Sequence, residues 1–445
     1  MVNINNFERA SELLKNRITI KDLEKIEYEK EVILAGWIIN IKTIGNIAFV
    51  ILRDKSGDAQ ITLKKEILGD LDFIKDLSLH TFIVVKGKYI KGIAKKYKEV
   101  IGEEIYLLGE TADRLPIDEK SIFEKRLNYR WIDLRDPSKS LIITLASEFV
   151  KYVREFLYQN NFIEIFSPKI ISTATEGGAE VFEIKYFDKK AYLAQSPQFY
   201  KQMAICSGFE KVFEIAPAFR AEPSFTSRHL TEFTSFDVEV GYISSHHDIM
   251  DLEENLLKYV MKKLKENWED EIKKYYNVEI IIPNNIPRIK MEEVYEIIGK
   301  NNIKENGDIT SEGEKILGEY VKKEYNSEFV FIIDWPWTAR PFYHMKGEPM
   351  KNGTITTKSF DLLYKGLEIT TGSQREHRYS ILLQQIKEKG LNPENFKYYL
   401  EFFRYGAPPM GGFGSGISRF IKQLLNIENV KEAVLLPRDP NRLEP

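Results

Sequence analysis

From residue 32 onward, apolar and polar positions alternate in short runs: Val32 to Ile38, Ala48 to Asp54, Asp58 to Leu63, Thr81 to Val85 and Glu104 to Leu108. A period of two sends successive side chains to opposite faces, which predicts strands. Asp54-Lys55-Ser56-Gly57-Asp58 is a hairpin turn signal between two of them. Five such strands predict a small all-β barrel of the OB type over 28–110. Before it, 1–27 reads as an N-terminal extension, with a short helix from Phe7 to Lys15 and a charged lead-in. After it, 111–140 carries Pro116, Pro137 and many charges and reads as a hinge. At Leu141 the period turns helical: Leu145, Phe149, Tyr152, Val153, Phe156 and Leu157 form one stripe. Phe162 to Ile165 then alternates as a strand and stops at Pro168, and a Lys- and Glu-rich helix follows over 247–275. Hairpins mixed with helices predict an α+β domain over 141–445 with a mainly antiparallel sheet.

Composition narrows the class. A chain of 445 residues, 43% hydrophobic and 29% charged, is long enough for several cores. The single Cys206 excludes a disulfide framework and fits a reducing cytosol. No apolar run approaches the roughly 20 residues needed to span a bilayer, so a soluble cytoplasmic protein without a membrane partner is expected. Net charge is −3, yet 86–98 holds Lys86, Lys88, Lys91, Lys95, Lys96 and Lys98 without an acid. Such a patch either tracks phosphates or is a solvated loop.

Chemistry concentrates at Phe219-Arg220-Ala221-Glu222, Arg228-His229-Leu230-Thr231-Glu232-Phe233 and Asp237-Val238-Glu239. As two strands joined by a polar loop, they place Glu214, Arg220, Glu222, Phe233, Asp237 and Glu239 on one side and Ile215, Phe219, Phe236, Val238 and Val240 on the other. Arginine grips phosphate through a planar fork, and Phe233 offers a stacking face. A cross-strand salt bridge on a solvated sheet would produce the same pattern.

Three further stretches add to it. Gly406 to Phe420 is a glycine-rich strand leading into a helix with Arg419, and no Lys follows the glycines as in a phosphate-binding loop. Phe360 to Glu368 has a hairpin turn at Lys365-Gly366, expected to bring the strands bearing Asp361 and Glu368 side by side, with hard oxygen ligands that suit Mg²⁺. Thr175 to Glu180, with Gln195-Ser196-Pro197-Gln198-Phe199-Tyr200-Lys201, combines a glycine-permitted loop with Lys201, which together with Arg375 would address a carboxylate ligand.

Taken together and in this order, these stretches resemble class II aminoacyl-tRNA synthetases of subclass IIb, specifically the aspartyl-tRNA synthetases of archaeal and eukaryotic type. The helix 141–160 with Phe162-Ile163-Glu164-Ile165 and Pro168 looks like motif 1, 220–239 like motif 2 and 411–420 like motif 3; Arg126 to Arg135 is similar to the family's hinge. The resemblance implies ATP, L-aspartate and tRNA(Asp) as substrates, with tRNA(Asn) as a second acceptor left open, and a homodimer through motif 1. It implies that Arg220, Arg419 and Lys201 are the catalytic cations. Glu176, Gln198, Lys201, Arg220, Asp237, Thr371 and Arg375 would surround aspartate, with Lys201 and Arg375 on its side-chain carboxylate and Asp237 on its ammonium. ATP would be met by Arg220, Ala221, Glu222, Arg228, His229, Leu230, Phe233, Glu368, Gly416, Ile417, Ser418 and Arg419. Mg²⁺ would sit at Glu368, Thr371 and Asp361, and Phe49 and Gln60 would read the anticodon.

The residue types suit that chemistry. A carboxylate substrate is already ionised, so its attack on phosphorus needs no general base, only positioning and cationic stabilisation. Two cations on the substrate side chain select against asparagine, whose amide would leave them unpaired. Two positions depart from the family: Ser418 replaces the usual glutamate before the motif 3 arginine, and Thr371 a serine, which keeps the hydroxyl. Gly372-Ser373-Gln374-Arg375 is also similar to asparaginyl-tRNA synthetases, the alternative along with a non-catalytic tRNA-binding or amino-acid-sensing paralogue.

Overall fold

The computed structural model describes residues 5–92, 96–111, 114–118, 120–172, 180–223 and 226–445. The chain divides into two compact units, Met1–Ser140 and Leu141–Pro445.

In the first unit, β1 (Glu31–Ile44), β2 (Ile47–Asp54), β3 (Gly57–Lys64), β4 (Phe82–Ile90) and β5 (Lys98–Gly109) close a barrel in the order β1-β2-β3-β5-β4. The alternation explains it: Ala48, Val50 and Leu52 of β2 and Ala59, Ile61 and Leu63 of β3 all point into one core. The expected extension 1–27 is not separate. Ile20 and Leu23 belong to the barrel core, and the helix Phe7–Leu14 sets Ala10 and Leu13 against Ala35 and Val84. The basic stretch is divided as well: Lys86 lies on β4, paired with Glu31 and Glu104, and Lys98 begins β5, paired with Glu24. Lys95 falls outside the described residues. The expected hinge carries short helices, where Asp133 binds Arg126 and the buried Arg130.

The second unit is built on an eight-stranded sheet. Its strands are β6 (Ile163–Glu164), β10 (Lys211–Phe219), β11 (Glu232–Gly241), β12 (Arg288–Lys290), β13 (Phe329–Ile333), β14 (Ser359–Tyr364), β15 (Leu367–Gln374) and β16 (Met410–Gly416). The small strands β7 (Ile170–Ile171), β8 (Glu183–Tyr186) and β9 (Lys189–Leu193) form a separate sheet. The large sheet runs β12-β13-β14-β15-β16-β11-β10-β6 and is antiparallel except for β12/β13 and β6/β10 at its two ends. One face packs on the helices Pro137–Gln159 and His246–Tyr276 through Phe149, Phe236, Phe413, Val260 and Leu264. The second helix starts on a capping box, Ser245 with Asp248, and stops at Asn277 in the left-handed region, so its ends fall where backbone groups find partners.

The same helix buries Glu253 in the unit's core, near Thr370 of β15. Burial, with the Asp361 charge, pushes this carboxyl up from about 4.5 to about 8. The folded chain therefore keeps a proton that the unfolded chain releases, and folding stability falls as pH rises from about 4.5 to about 8. Glu253→Gln should stabilise the second unit at pH 8 by on the order of a few kcal/mol and much less at pH 5. Thermal unfolding at the two pH values checks this; an equal change at both would refute it.

Candidate active site

One cavity gathers the sheet's polar face, and the strand register explains how. Antiparallel pairing sets Glu214 opposite Asp237, Ala216 opposite Ser235 and Ala218 opposite Phe233, so the expected shared side is real. It is not solvated: Glu214, Asp237 and Glu239 are all at most 4% exposed. Neighbouring β16 lies against β11 so closely that side chains are excluded. A Cβ on Gly412 would lie 2.0 Å from the Val238 carbonyl oxygen and 2.3 Å from Glu239 Oε2, and one on Gly414 2.9 Å from Asp237 Oδ1. The glycines of this strand make room for the carboxylates beside it.

At one pole, buried carboxylates meet buried cations. Lys201 Nζ is 2.9 Å from Asp237 Oδ1 and 3.5 Å from Glu239 Oε2, and donates to the Phe413 carbonyl at 3.1 Å. Arg375 spans Glu239 in a fork, Nε to Oε1 at 3.0 Å and Nη2 to Oε2 at 3.2 Å, and its Nη1 donates to Ser373 Oγ at 2.6 Å. Ser235 Oγ donates to Asp237 Oδ2 at 2.8 Å. Asp237, Arg375, Gln198 and Ser235 line the cavity; Lys201, only 1% exposed, stands directly behind Asp237. Buried charges of this kind persist only when matched. Glu239, to which the sequence assigned no role, is the common partner of both cations. Its place two residues after Asp237 on the same strand face was the available signal.

At the other pole, arginines surround Glu368. Arg419 Nη1 reaches the Glu368 carbonyl at 3.2 Å and Oε1 at 3.5 Å, while its Nε donates to the Arg228 carbonyl at 3.3 Å. These bonds orient Arg419 without the glutamate that Ser418 replaces; Ser418 itself lines the cavity. Burial alone would raise the Glu368 carboxyl, but Arg419, Arg340, Arg228 and Arg220 together hold it below its ordinary value. Arg220 stacks over the Phe233 ring at 5.4 Å, and its buried Nε has no acceptor among the described residues. His229 is pushed down to about 4 by burial and by Arg419 and Arg228, so it is a neutral ring at pH 7.

Glu222, Leu230 and Gly416 line the cavity too; Ala221 and Ile417 do not. Ala221 donates its N–H to the Glu180 carbonyl, and Ile417 packs in the core because it is the first residue of the helix Ile417–Leu424 and faces the sheet. The strands bearing Asp361 and Glu368 pair as expected, with Asp361 facing Thr371 and Leu363 facing Glu368, but Asp361 departs from expectation in its surroundings. The Asp361 carboxylate lies outside the cavity lining and pairs with Arg340 at 2.7 Å; burial and the Glu368 charge push it up to about 7 against that arginine. Thr371 and Glu368 do line the cavity, with Thr371 Oγ1 3.2 Å from Glu368 Oε1. Adjacent carboxylate and hydroxyl oxygens, backed by a second carboxylate that Glu368 disfavours, suit a hard divalent cation shared with phosphates. Among the described residues no larger acidic or histidine cluster offers a metal site. Glu176 lies outside the described residues. Phe49 and Gln60 belong to the other unit, half-buried on the outward face of β2 and β3.

Arg340 and His344 were not foreseen. Both line the cavity. Arg340 stacks on Trp335 at 4.0 Å, and His344 is buried with burial and Arg375 driving its ring well below its ordinary value. They come from an irregular segment whose sequence has no period to place it.

The family profile for tRNA synthetases class II (D, K and N) matches residues 123–440, and one for an OB-fold nucleic acid binding domain matches 32–108. The chain is 43% identical to an aspartate–tRNA(Asp/Asn) ligase from Aeropyrum pernix over 93% of this chain and 95% of that one. It is 44% identical to an aspartate–tRNA(Asp) ligase from Pyrococcus furiosus over 94% and 96%. Among solved structures, asparaginyl-tRNA synthetase from Pyrococcus horikoshii with asparaginyl-adenylate superposes with TM-score 0.86 at 32% identity, covering 94% of this chain and 97% of that one. A putative aspartyl-tRNA synthetase from Leishmania major does so with TM-score 0.86 at 30% identity, covering 96% and 94%. A family match over most of the chain, with both units accounted for, places this protein among the class II tRNA synthetases of the D, K and N group.

Proposed function

We infer that the chain is an aspartate–tRNA ligase. It activates L-aspartate with ATP to aspartyl-adenylate and pyrophosphate, then passes the aspartyl group to the 3′ end of tRNA(Asp). The observation that carries this reading is the two-pole cavity: an arginine-rich half around Glu368 and Phe233, and a half with Arg375 and Lys201 set on Asp237 and Glu239. The first suits a triphosphate and a base, the second an amino acid with an anionic side chain.

In the first step the aspartate α-carboxylate oxygen forms a bond to the α-phosphorus and the bond to pyrophosphate breaks. Arg220, with a buried unmatched donor in the cavity, compensates charge at the α-phosphate. Phe233 and Arg419 bracket the adenine, and Glu222 meets its amino group. Arg228 and His229 take the outer phosphates. Asp237 binds the substrate ammonium, and Arg375 with Lys201 binds its side-chain carboxylate, aided by Gln198. In the second step a terminal tRNA hydroxyl attacks the aspartyl carbonyl and AMP leaves with the bond electrons. Glu368 and Thr371 would hold Mg²⁺, with Asp361 behind them. That ion supplies charge compensation for the polyphosphate.

Phe49 and Gln60, opposite Thr62 and Ile51 on the outward barrel face, present a ring and an amide to unstacked anticodon bases. Among the described residues strand β6 ends the sheet with one edge unpaired, and Ile163 on it and Phe166 just after it are 47% and 84% exposed. A second copy of the chain covering this edge gives the homodimer. No described helix is long and apolar enough to cross a membrane, and a cytoplasmic enzyme is part of the same proposal. The test is which amino acid supports pyrophosphate exchange into ATP, followed by which purified tRNA, for aspartate or asparagine, accepts it.

A further inference from the structure

Arg228 is held from a direction that the ligand assignments leave unused. Its Nη2 donates to Glu314 and its Nη1 to Ser311 Oγ, both in the first turn of the helix Ser311–Tyr325. The backbone beneath it is fixed as well, since Arg419 Nε binds the Arg228 carbonyl at 3.3 Å and the Val430 N–H binds the Ser227 carbonyl at 2.9 Å. Arg228 lines the cavity, and its buried Nε has no acceptor among the described residues. Two donors are spent on the helix, while the guanidinium still lines the cavity where a ligand would meet it.

Glu314 is no ordinary surface partner. It is 7% exposed, and the same Oε2 that binds Arg228 accepts the Glu368 backbone N–H at 3.2 Å. A carboxylate so buried costs stability unless its partners compensate it, and an apolar residue would pack there at lower cost. Its position makes sense for the site instead. An unrestrained arginine loses rotamer freedom when it grips a phosphate, and a held one has already lost it.

We propose that Glu314 is the positioning residue for Arg228, presenting the guanidinium to the outer phosphates of ATP from outside the cavity. The inference rests on the reading of this cavity as an ATP site. The helix Ser311–Tyr325 thereby joins the nucleotide site without touching substrate, and Glu314 links Arg228 to the strand that bears Glu368.

Glu314→Gln keeps an acceptor oxygen and removes the charge. The amide oxygen still accepts the Glu368 N–H, while the charge facing Arg228 is removed. In pyrophosphate exchange, KM for ATP should rise about tenfold. KM for aspartate and kcat should change by less than about twofold, and competitive inhibition by AMP, which lacks outer phosphates, should be unaltered. In an Arg228→Ala background the same substitution should raise KM for ATP no further. Wild-type KM for ATP in Glu314→Gln, equal weakening of ATP and AMP, or a full additional effect in Arg228→Ala would each overturn the proposal. A wild-type chain with no exchange would instead sink the functional reading, and this inference with it.

Discussion

Arg375→Gln is expected to lower kcat/KM for aspartate activation by about a thousandfold, roughly 4 kcal/mol of transition-state stabilisation. Two effects add. On the proposed reading, the substrate carboxylate loses the positive charge of Arg375. Independently of that reading, Glu239 loses the guanidinium that binds both its oxygens at 3.0 and 3.2 Å and keeps only Lys201 at 3.5 Å. A carboxylate that is 0% exposed and half-matched destabilises the fold by about 3–5 kcal/mol. The variant should therefore unfold at a lower temperature. Raising the aspartate concentration should recover little of the lost rate, because the second cation is drawn toward Glu239. Aspartate titrations in pyrophosphate exchange, with thermal unfolding alongside, measure both. A variant with normal stability and normal KM for aspartate would refute the assignment of Arg375 to this pole.

The second large effect is steric. In Gly412→Ala the new methyl would stand 2.0 Å from a backbone oxygen and 2.3 Å from Glu239 Oε2. Neither neighbour can yield easily: the carbonyl belongs to a strand paired on both sides, and the carboxylate is held by Arg375 and Lys201. A loss of about 3 kcal/mol or more in stability is expected, and pyrophosphate exchange should vanish as the carboxylate pair is pushed out of place. Gly416→Ala in the same strand is the control. Its Cβ would meet nothing nearer than 3.9 Å, and its φ of −89° is open to any residue. Its unfolding temperature should match wild type. Equal stability loss in both variants would show that the strand needs glycine for flexibility and not for the approach of β11.

Much of the molecule was legible before its coordinates. Alternation at Ala48, Val50 and Leu52 announces a barrel wall because a period-two pattern has few other uses. The charged side of 214–239 was legible for the same reason, but its burial was not. The cations that neutralise it come from 36 and 136 residues away, and no local pattern reports such distances. The Lys365-Gly366 turn placed Asp361 on the right pair of strands, but nothing in the turn residues shows that its carboxylate pairs with Arg340 outside the cavity lining. The segment 1–27 carries no chemistry, yet Ile20 and Leu23 are core. Their partners lie on strands further along the chain, so sequence shows only a weakly apolar lead-in. Arg340 and His344 enter the cavity on irregular backbone, where sequence has no period to place a side chain.

The central claim is that the site activates aspartate. Exchange of labelled pyrophosphate into ATP, measured with the wild-type chain and Mg²⁺ against aspartate and asparagine in turn, tests it most directly. Aspartate should support exchange with kcat/KM at least about a thousandfold above asparagine, because the amide brings no charge to the pole that holds Arg375 and Lys201. Exchange with asparagine alone would contradict the account, as would exchange with neither amino acid.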